Sequence, residues 1–139
     1  MIAVIDTNHL LRLAATMDRS PLFAAWRNGR FELAVSAETL AELDDVARRP
    51  KTQRFLPPER FAVFRTLIEV WAIMVAPAPE YPHCRDPKDD HILAAAVAVQ
   101  AEVIVTTDRD LLDDETLKTQ LLKRWNIHVV EPAEFLAMV

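Results

Sequence analysis

Short apolar runs alternate along this chain with longer stretches in which apolar residues recur every three to four positions. That alternation constrains the fold more than any other feature. Ala3-Val4-Ile5 reads as a buried strand feeding a helix whose apolar face is Leu10, Leu11, Leu13 and Ala14. Ser20-Pro21 supplies an N-cap and first-turn pair for a helix over residues 22–28, with Gly29 just past its end. Residues 31–35 read as a second strand. Ser36 then caps a helix over residues 37–47, which Arg48-Arg49-Pro50-Lys51 ends. Pro57-Pro58 open a helix in which Phe61, Phe64, Leu67, Ile68 and Trp71 repeat at helical spacing, and residues 72–75 form a short strand. Pro77, Pro79 and Pro82 force an extended loop as far as Arg85. Beyond it come a helix from Asp86 to Gln100, a β-branched strand at Val103-Ile104-Val105 and a short helix at residues 110–113. A longer helix near residues 116–125, a last strand at 127–130 and a terminal helix from Pro132 complete the chain. Strands alternating with helices imply a mainly parallel sheet covered on both faces, an α/β/α arrangement. With no repeat and no linker, residues 1–139 are expected to form one domain.

Composition narrows the chemistry. Half of the chain is hydrophobic (51%), enough to close one core at this length. Gly29 is the single glycine, where ordinary usage would give about ten. Phosphate loops of the Walker and Rossmann kinds need several glycines, so nucleotide cofactors held that way are excluded. Cys84 stands alone and cannot make an internal disulfide, and no Cys/His set has zinc spacing. No apolar run approaches the roughly 18–20 residues that span a bilayer, and the first residues lack the features of a signal peptide. A cytoplasmic protein with no membrane partner is expected. The net charge of −5 argues mildly against a nucleic-acid binder, although local patches and bound cations decide the field at a site.

The carboxylates say more. In an open α/β sheet, ligands bind outside the carboxyl ends of the strands. Two strands end in an acid: Asp6 follows Ile5, and Asp108 follows Val105-Thr106-Thr107. The helix starting with Asp86, Asp89 and Asp90, and Glu42 on the helix after the second strand, should reach the same edge. Converging carboxylates repel, so either one is protonated or a hard cation lies between them. Oxygen-only ligation favours Mg²⁺ or Mn²⁺, and hydrolysis of a phosphate ester follows most naturally.

Each acid also has a plainer role. Asp89 or Asp90 can be a helix cap, Asp86-Pro87 a turn, Glu42 a solvated helix residue, and Asp108 with Asp110 the start of the next helix. Asp6 is hardest to explain so, because an uncompensated acid beside an apolar strand is costly. The four histidines form no spaced ligand pair, Cys84 has no evident activating base, and Trp26, Trp71 and Trp125 fall in helical patterns that point to the core. Arg48, Arg49, Lys51 and Arg54 make the densest positive stretch. It is either a solvated helix end or a rail for a phosphate backbone.

Four blocks together resemble the PIN-domain ribonucleases. Val4-Ile5-Asp6-Thr7-Asn8-His9-Leu10-Leu11 is similar to the family's opening strand, and Val35-Ser36 through Glu42-Leu43 to its second element. Arg85-Asp86-Pro87-Lys88-Asp89-Asp90-His91-Ile92-Leu93-Ala94 resembles the third block. Val103-Ile104-Val105-Thr106-Thr107-Asp108-Arg109-Asp110-Leu111-Leu112 resembles the fourth. Nearly the whole chain is covered, and the likeness is strongest to the VapC-like toxins of toxin–antitoxin pairs. It implies an endoribonuclease dependent on Mg²⁺ or Mn²⁺, built on a central, mainly parallel sheet of about five strands. By position, Asp6, Glu42 and Asp108 match catalytic, metal-holding acids. In the third block, counting back from Leu93-Ala94-Ala95 favours Asp90, whereas the Asp-Pro-x-Asp spelling favours Asp86 and Asp89. Asp90 is taken as catalytic, with Asp89 and Asp90 placed ahead of Asp86 as metal ligands. Asn8 and Thr107 match polar positions that orient ligands or water. The family likeness further implies a homodimer and a cognate antitoxin. The departures are the negative charge and the missing glycines near Ala101 and before Asp108.

Two other readings compete. A haloacid-dehalogenase-type phosphatase would need a second Asp where Asn8 stands, and a receiver domain would need a Lys at the end of a late strand, which is absent. A PIN-like module that binds RNA or protein without cutting would not need all four acidic positions filled.

Overall fold

The computed structural model describes residues 1–139. Strands β1 (Ile2–Ile5), β2 (Glu32–Ser36), β3 (Ile73–Val75), β4 (Val103–Val105) and β5 (His128–Val130) form one sheet in the order β3-β2-β1-β4-β5. Every pairing in it is parallel. The connecting helices are α1 (Thr7–Thr16), α2 (Pro21–Arg27), α3 (Ala37–Ala47), α4 (Pro50–Gln53), α5 (Pro58–Trp71), α6 (Asp90–Val99), α7 (Arg109–Leu112), α8 (Glu115–Trp125) and α9 (Pro132–Met138).

Period-two alternation in the strands explains the three layers. Ala3, Ile5, Leu33, Val35, Val103 and Val105 point into one core of 23 buried residues, with Leu10, Leu13, Trp26, Leu43, Phe64 and Phe135 from α1, α2, α3, α5 and α9. Val4, Ala34 and Ile104 point into the other, of 14, with Ile92, Leu93, Leu111 and Leu121 from α6, α7 and α8. Each fully buried Leu, Ile or Phe contributes about 1.5–3 kcal/mol, so both faces of the sheet are driven to be covered. No helix is long and apolar enough to cross a membrane.

Three local expectations are corrected, and one departure is explained. Pro50 does not only end α3; it starts α4, because proline suits a helix's first turn. The helix expected from Asp86 divides. Asp86 caps a single 3₁₀ turn, Pro87–Asp89, through its Oδ1 and the Lys88 N–H at 3.0 Å, and α6 begins only at Asp90. Trp26 is buried as expected, but Trp71 is 44% exposed and meets Trp26 edge-on. Trp125 is half-buried, with the Arg124 guanidinium over its ring. The glycine missing near Ala101 is replaced by Gln100, which holds φ of 55° at the end of α6.

The strand order positions the site. From β1 the chain builds β2 and β3 outward on one side, then returns to lay β4 on the other side of β1. Such a reversal leaves a crevice at the carboxyl ends of the two strands. Asp6 follows β1 there, and Thr106-Thr107-Asp108 follow β4.

Candidate active site

Register brings the first contact about. Ile5 pairs with Val105, so Asp6 and Thr106 are next to each other as the strands end, and the Asp6 N–H donates to the Val105 carbonyl at 3.1 Å. Asp6 is almost fully buried. Its Oδ1 accepts from the His9 N–H at 2.7 Å, which caps α1, and its Oδ2 accepts from the Thr106 hydroxyl. That hydroxyl oxygen accepts in turn from the Asp108 N–H at 2.9 Å. Asp108 caps α7 through its Oδ1 and the Asp110 N–H at 2.9 Å. One buried threonine thus ties the carboxylate after β1 to the loop after β4.

Asp89 meets this pair from the 3₁₀ turn. Its Oδ2 is buried and no N–H or hydroxyl of the protein donates to it, so only a proton held between carboxyls could. Its carboxyl is pushed up to about 7, first by burial, then by a hydrogen bond shared with Asp108, and then by the charges of Asp108, Asp86 and Asp6. Asp86, Asp89 and Asp110 also offer one oxygen each within 4.8 Å of one another. The structure therefore gathers Asp6, Asp86, Asp89, Asp108 and Asp110 in one acidic cluster. Asp86 stood last among the sequence candidates and Asp110 was not among them.

Asp90, expected to be catalytic, is engaged elsewhere. Its Oδ1 accepts from the Cys84 N–H at 2.9 Å and its Oδ2 faces His83 Nδ1 at 2.9 Å. Adjacent helical residues point about 100° apart, so Asp89 can face the cluster while Asp90 holds the segment before it. Asp90→Ala should therefore cost about 1–3 kcal/mol in thermal or urea unfolding, since the buried Cys84 N–H loses its acceptor. Equal stability for the variant would show that this clamp has no structural role.

Glu42 is held by a histidine and not by an aspartate. Its Oε2 lies 2.7 Å from Nε2 of the partly buried His91, whose Nδ1 lies 2.8 Å from the Thr39 hydroxyl. In the neutral ring Nε2–H donates to Glu42 and Nδ1 accepts from Thr39. Thr39 and Ser36 hydroxyls are 3.1 Å apart, and Ser36 caps α3. The chain of contacts fixes Glu42, on α3, to His91 of α6, the residue after Asp90, and Glu42 is not one of the clustered acids.

Other side chains sort themselves by burial. The Cys84 thiol is pushed up by burial, with the charges of Asp89 and Asp108 adding to it, and stays protonated rather than nucleophilic. Burial lowers His9 below the usual histidine range, against the pull of Asp6. Asn8 and Thr107, expected to orient ligands, are exposed and line a groove of about 500 Å³ together with Arg12, Arg49 and Lys51. Arg48 and Arg54 are exposed, and Arg48 pairs with Asp45. The residue orienting Asp6 is instead Thr106, which strand pairing alone reveals.

The donor set is all oxygen, and the buried Asp89 Oδ2 lacks any proton donor. Both fit a hard divalent cation better than thiolate- or imidazole-seeking metals.

A family model described as PIN domain matches residues 3–110, a span that includes all five clustered aspartates. No curated protein matches the sequence.

Proposed function

Because the chain belongs to the PIN-domain family, whose members are generally nucleases, we propose that it is an endoribonuclease dependent on Mg²⁺ or Mn²⁺. We read it further as the toxin of a VapC-like toxin–antitoxin pair. One observation carries the metal-dependent reading: Asp89 keeps a buried oxygen without a donor inside the field of three other aspartates. Only a proton or a cation compensates such an arrangement, and at neutral pH a divalent ion does so best.

Asp6, Asp89 and Asp108 would hold the ion, with Asp86, Asp110 and Glu42 as further oxygen donors. A bound ion polarises a phosphodiester and lowers the pKa of a coordinated water. The chain's own part is to keep the donors in place before substrate arrives. Thr106 and the His9 N–H fix both oxygens of Asp6, and His91 fixes Glu42. Arg12, Arg49 and Lys51 in the adjoining groove offset the phosphate charge that five acids would otherwise repel.

The toxin role, a cognate antitoxin, a homodimer and a cytoplasmic site of action are supported by the likeness of the sequence blocks around Asp6 and Asp108. Purified protein is expected to cut labelled RNA internally with Mg²⁺ or Mn²⁺ and to leave it intact in EDTA. Cutting that persists in EDTA overturns the metal requirement, and intact RNA in Mn²⁺ overturns the nuclease. Expression should arrest growth, and co-expression of an adjacent antitoxin should restore it; unaffected growth counts against the toxin.

A further inference from the structure

Phe55 is 54% exposed, although it immediately precedes Leu56, which is almost fully buried. Scattered exposed apolar residues are ordinary. This one sits on a hydrogen-bonded turn and lines the cationic groove. Its backbone N–H and that of Leu56 both donate to the Thr52 carbonyl, at 3.1 and 3.0 Å, and Thr52 is itself buried. The turn is thus pinned at Thr52 and Leu56, and the ring between them is presented outward. The device begins with Pro50, which starts α4 and so sets the phase of the turn at its end.

The groove holds that ring and also residues that adjoin two of the aspartates in sequence. Arg12, Arg49 and Lys51 line it with Phe55, as do Asn8, two residues after Asp6, and Thr107, one residue before Asp108. Arg49 is partly neutralised by Asp45 at 3.2 Å, in an exposed pair that a phosphate can displace. A chain with net charge −5 that gathers three cations around an exposed aromatic ring has built a local site for an anion with a flat apolar part. A phosphate backbone with unpaired bases meets both requirements; a duplex hides its base faces in the stack.

We propose that the groove is a track for single-stranded RNA, in which one unpaired base stacks on Phe55 while Arg12, Arg49 and Lys51 hold the flanking phosphates and the strand continues to the aspartates. This rests on the ribonuclease reading and adds to it a specific contact of this chain: one unpaired base stacked on Phe55, away from the scissile bond.

The test measures binding in EDTA, where cutting does not intervene, using a short fluorescent single-stranded RNA and a hairpin of the same composition. F55A should weaken single-strand binding by about 5- to 100-fold, the ordinary contribution of one base–aromatic stack, and F55L should do the same. F55W should retain affinity. Arg12→Gln and Lys51→Gln should flatten the salt dependence, which F55A leaves as it was. Oligonucleotides with one abasic position should include a position at which the F55A effect disappears, since the stacked base is already gone. Unchanged melting curves will confirm that an exposed substitution leaves the fold intact. Wild-type binding by F55A or F55L overturns the proposal, as does equal and equally Phe55-dependent binding of the hairpin. If polyglutamate depends on Phe55 and RNA does not, the groove belongs to an acidic protein partner and the proposal is overturned. RNA that is cut normally by F55A overturns this inference alone, whereas Phe55-dependent binding without cutting overturns only the nuclease.

Discussion

Asp6→Asn is expected to reduce ribonuclease activity at least about 100-fold while the metal-free protein melts no lower than wild type. Groups that merely orient a metal's ligands already cost about 10–100-fold when removed, and Asp6 is proposed as a ligand itself. Asparagine keeps an oxygen to accept from the His9 N–H and is as good an N-cap as aspartate, so α1 stays capped. Its amide nitrogen can donate toward Thr106, whose hydroxyl then turns to another acceptor. What disappears is one negative charge from a crowded group, and that loss is neutral or stabilising without metal. A purely structural acid predicts the reverse: stability lost by on the order of a few kcal/mol, as when a buried partner is left alone. Activity and melting temperature measured on the same preparation separate the two. A variant that cuts at the wild-type rate defeats the assignment, and one that melts low makes Asp6 a structural residue.

Why Asp6 and Asp108 are legible in the sequence while other members are not is a matter of what each depends on. Both follow an apolar run, and an acid at the end of a buried strand is conspicuous whatever the strand pairs with. Thr106 matters only because β1 pairs with β4, a long-range fact that no local pattern encodes. Asp110 is concealed and Asp86 only weakly marked, since each sits beside a helix start where aspartate is commonplace. The choice between Asp89 and Asp90 turns on one residue of helical phase. Counting back from the apolar residues of α6 assumes an α-helix from the start, and the intervening 3₁₀ turn breaks that count. Phe55 is inconspicuous because α4 reads as the mere end of α3, so nothing suggests that the residue after it is presented on a fixed turn. The sheet itself is legible, because apolar runs that are buried on both faces leave few alternatives to parallel strands between helical layers.

Asp89 should make the metal-free protein less stable as pH rises through the neutral range. Its carboxyl has an ordinary value of 3.8 in the unfolded chain and about 7 in the fold. Below about pH 4 it is protonated in both states, and this group takes nothing from the stability of the fold. Between about 4 and about 7 the unfolded chain ionises while the native one still holds the proton, so each step up in pH favours unfolding. Above about 7 the loss is complete. The side chain is only half-buried, and solvent screening reduces the effect to on the order of 1 kcal/mol, or about 3–6 °C in Tm for a chain of this length. Asp89→Asn removes the ionisation, so it should raise the metal-free Tm by that amount near pH 8 and hardly change it near pH 4. A divalent ion competes with the same proton, so millimolar Mn²⁺ should raise Tm more above about pH 7 than near pH 5. The variant should lose most of that gain, having lost the buried oxygen that no protein donor satisfies. A Mn²⁺ shift of equal size at both pH values, or undiminished in Asp89→Asn, would mean that the ion acts elsewhere and that the carboxylates converge for some reason other than to hold it.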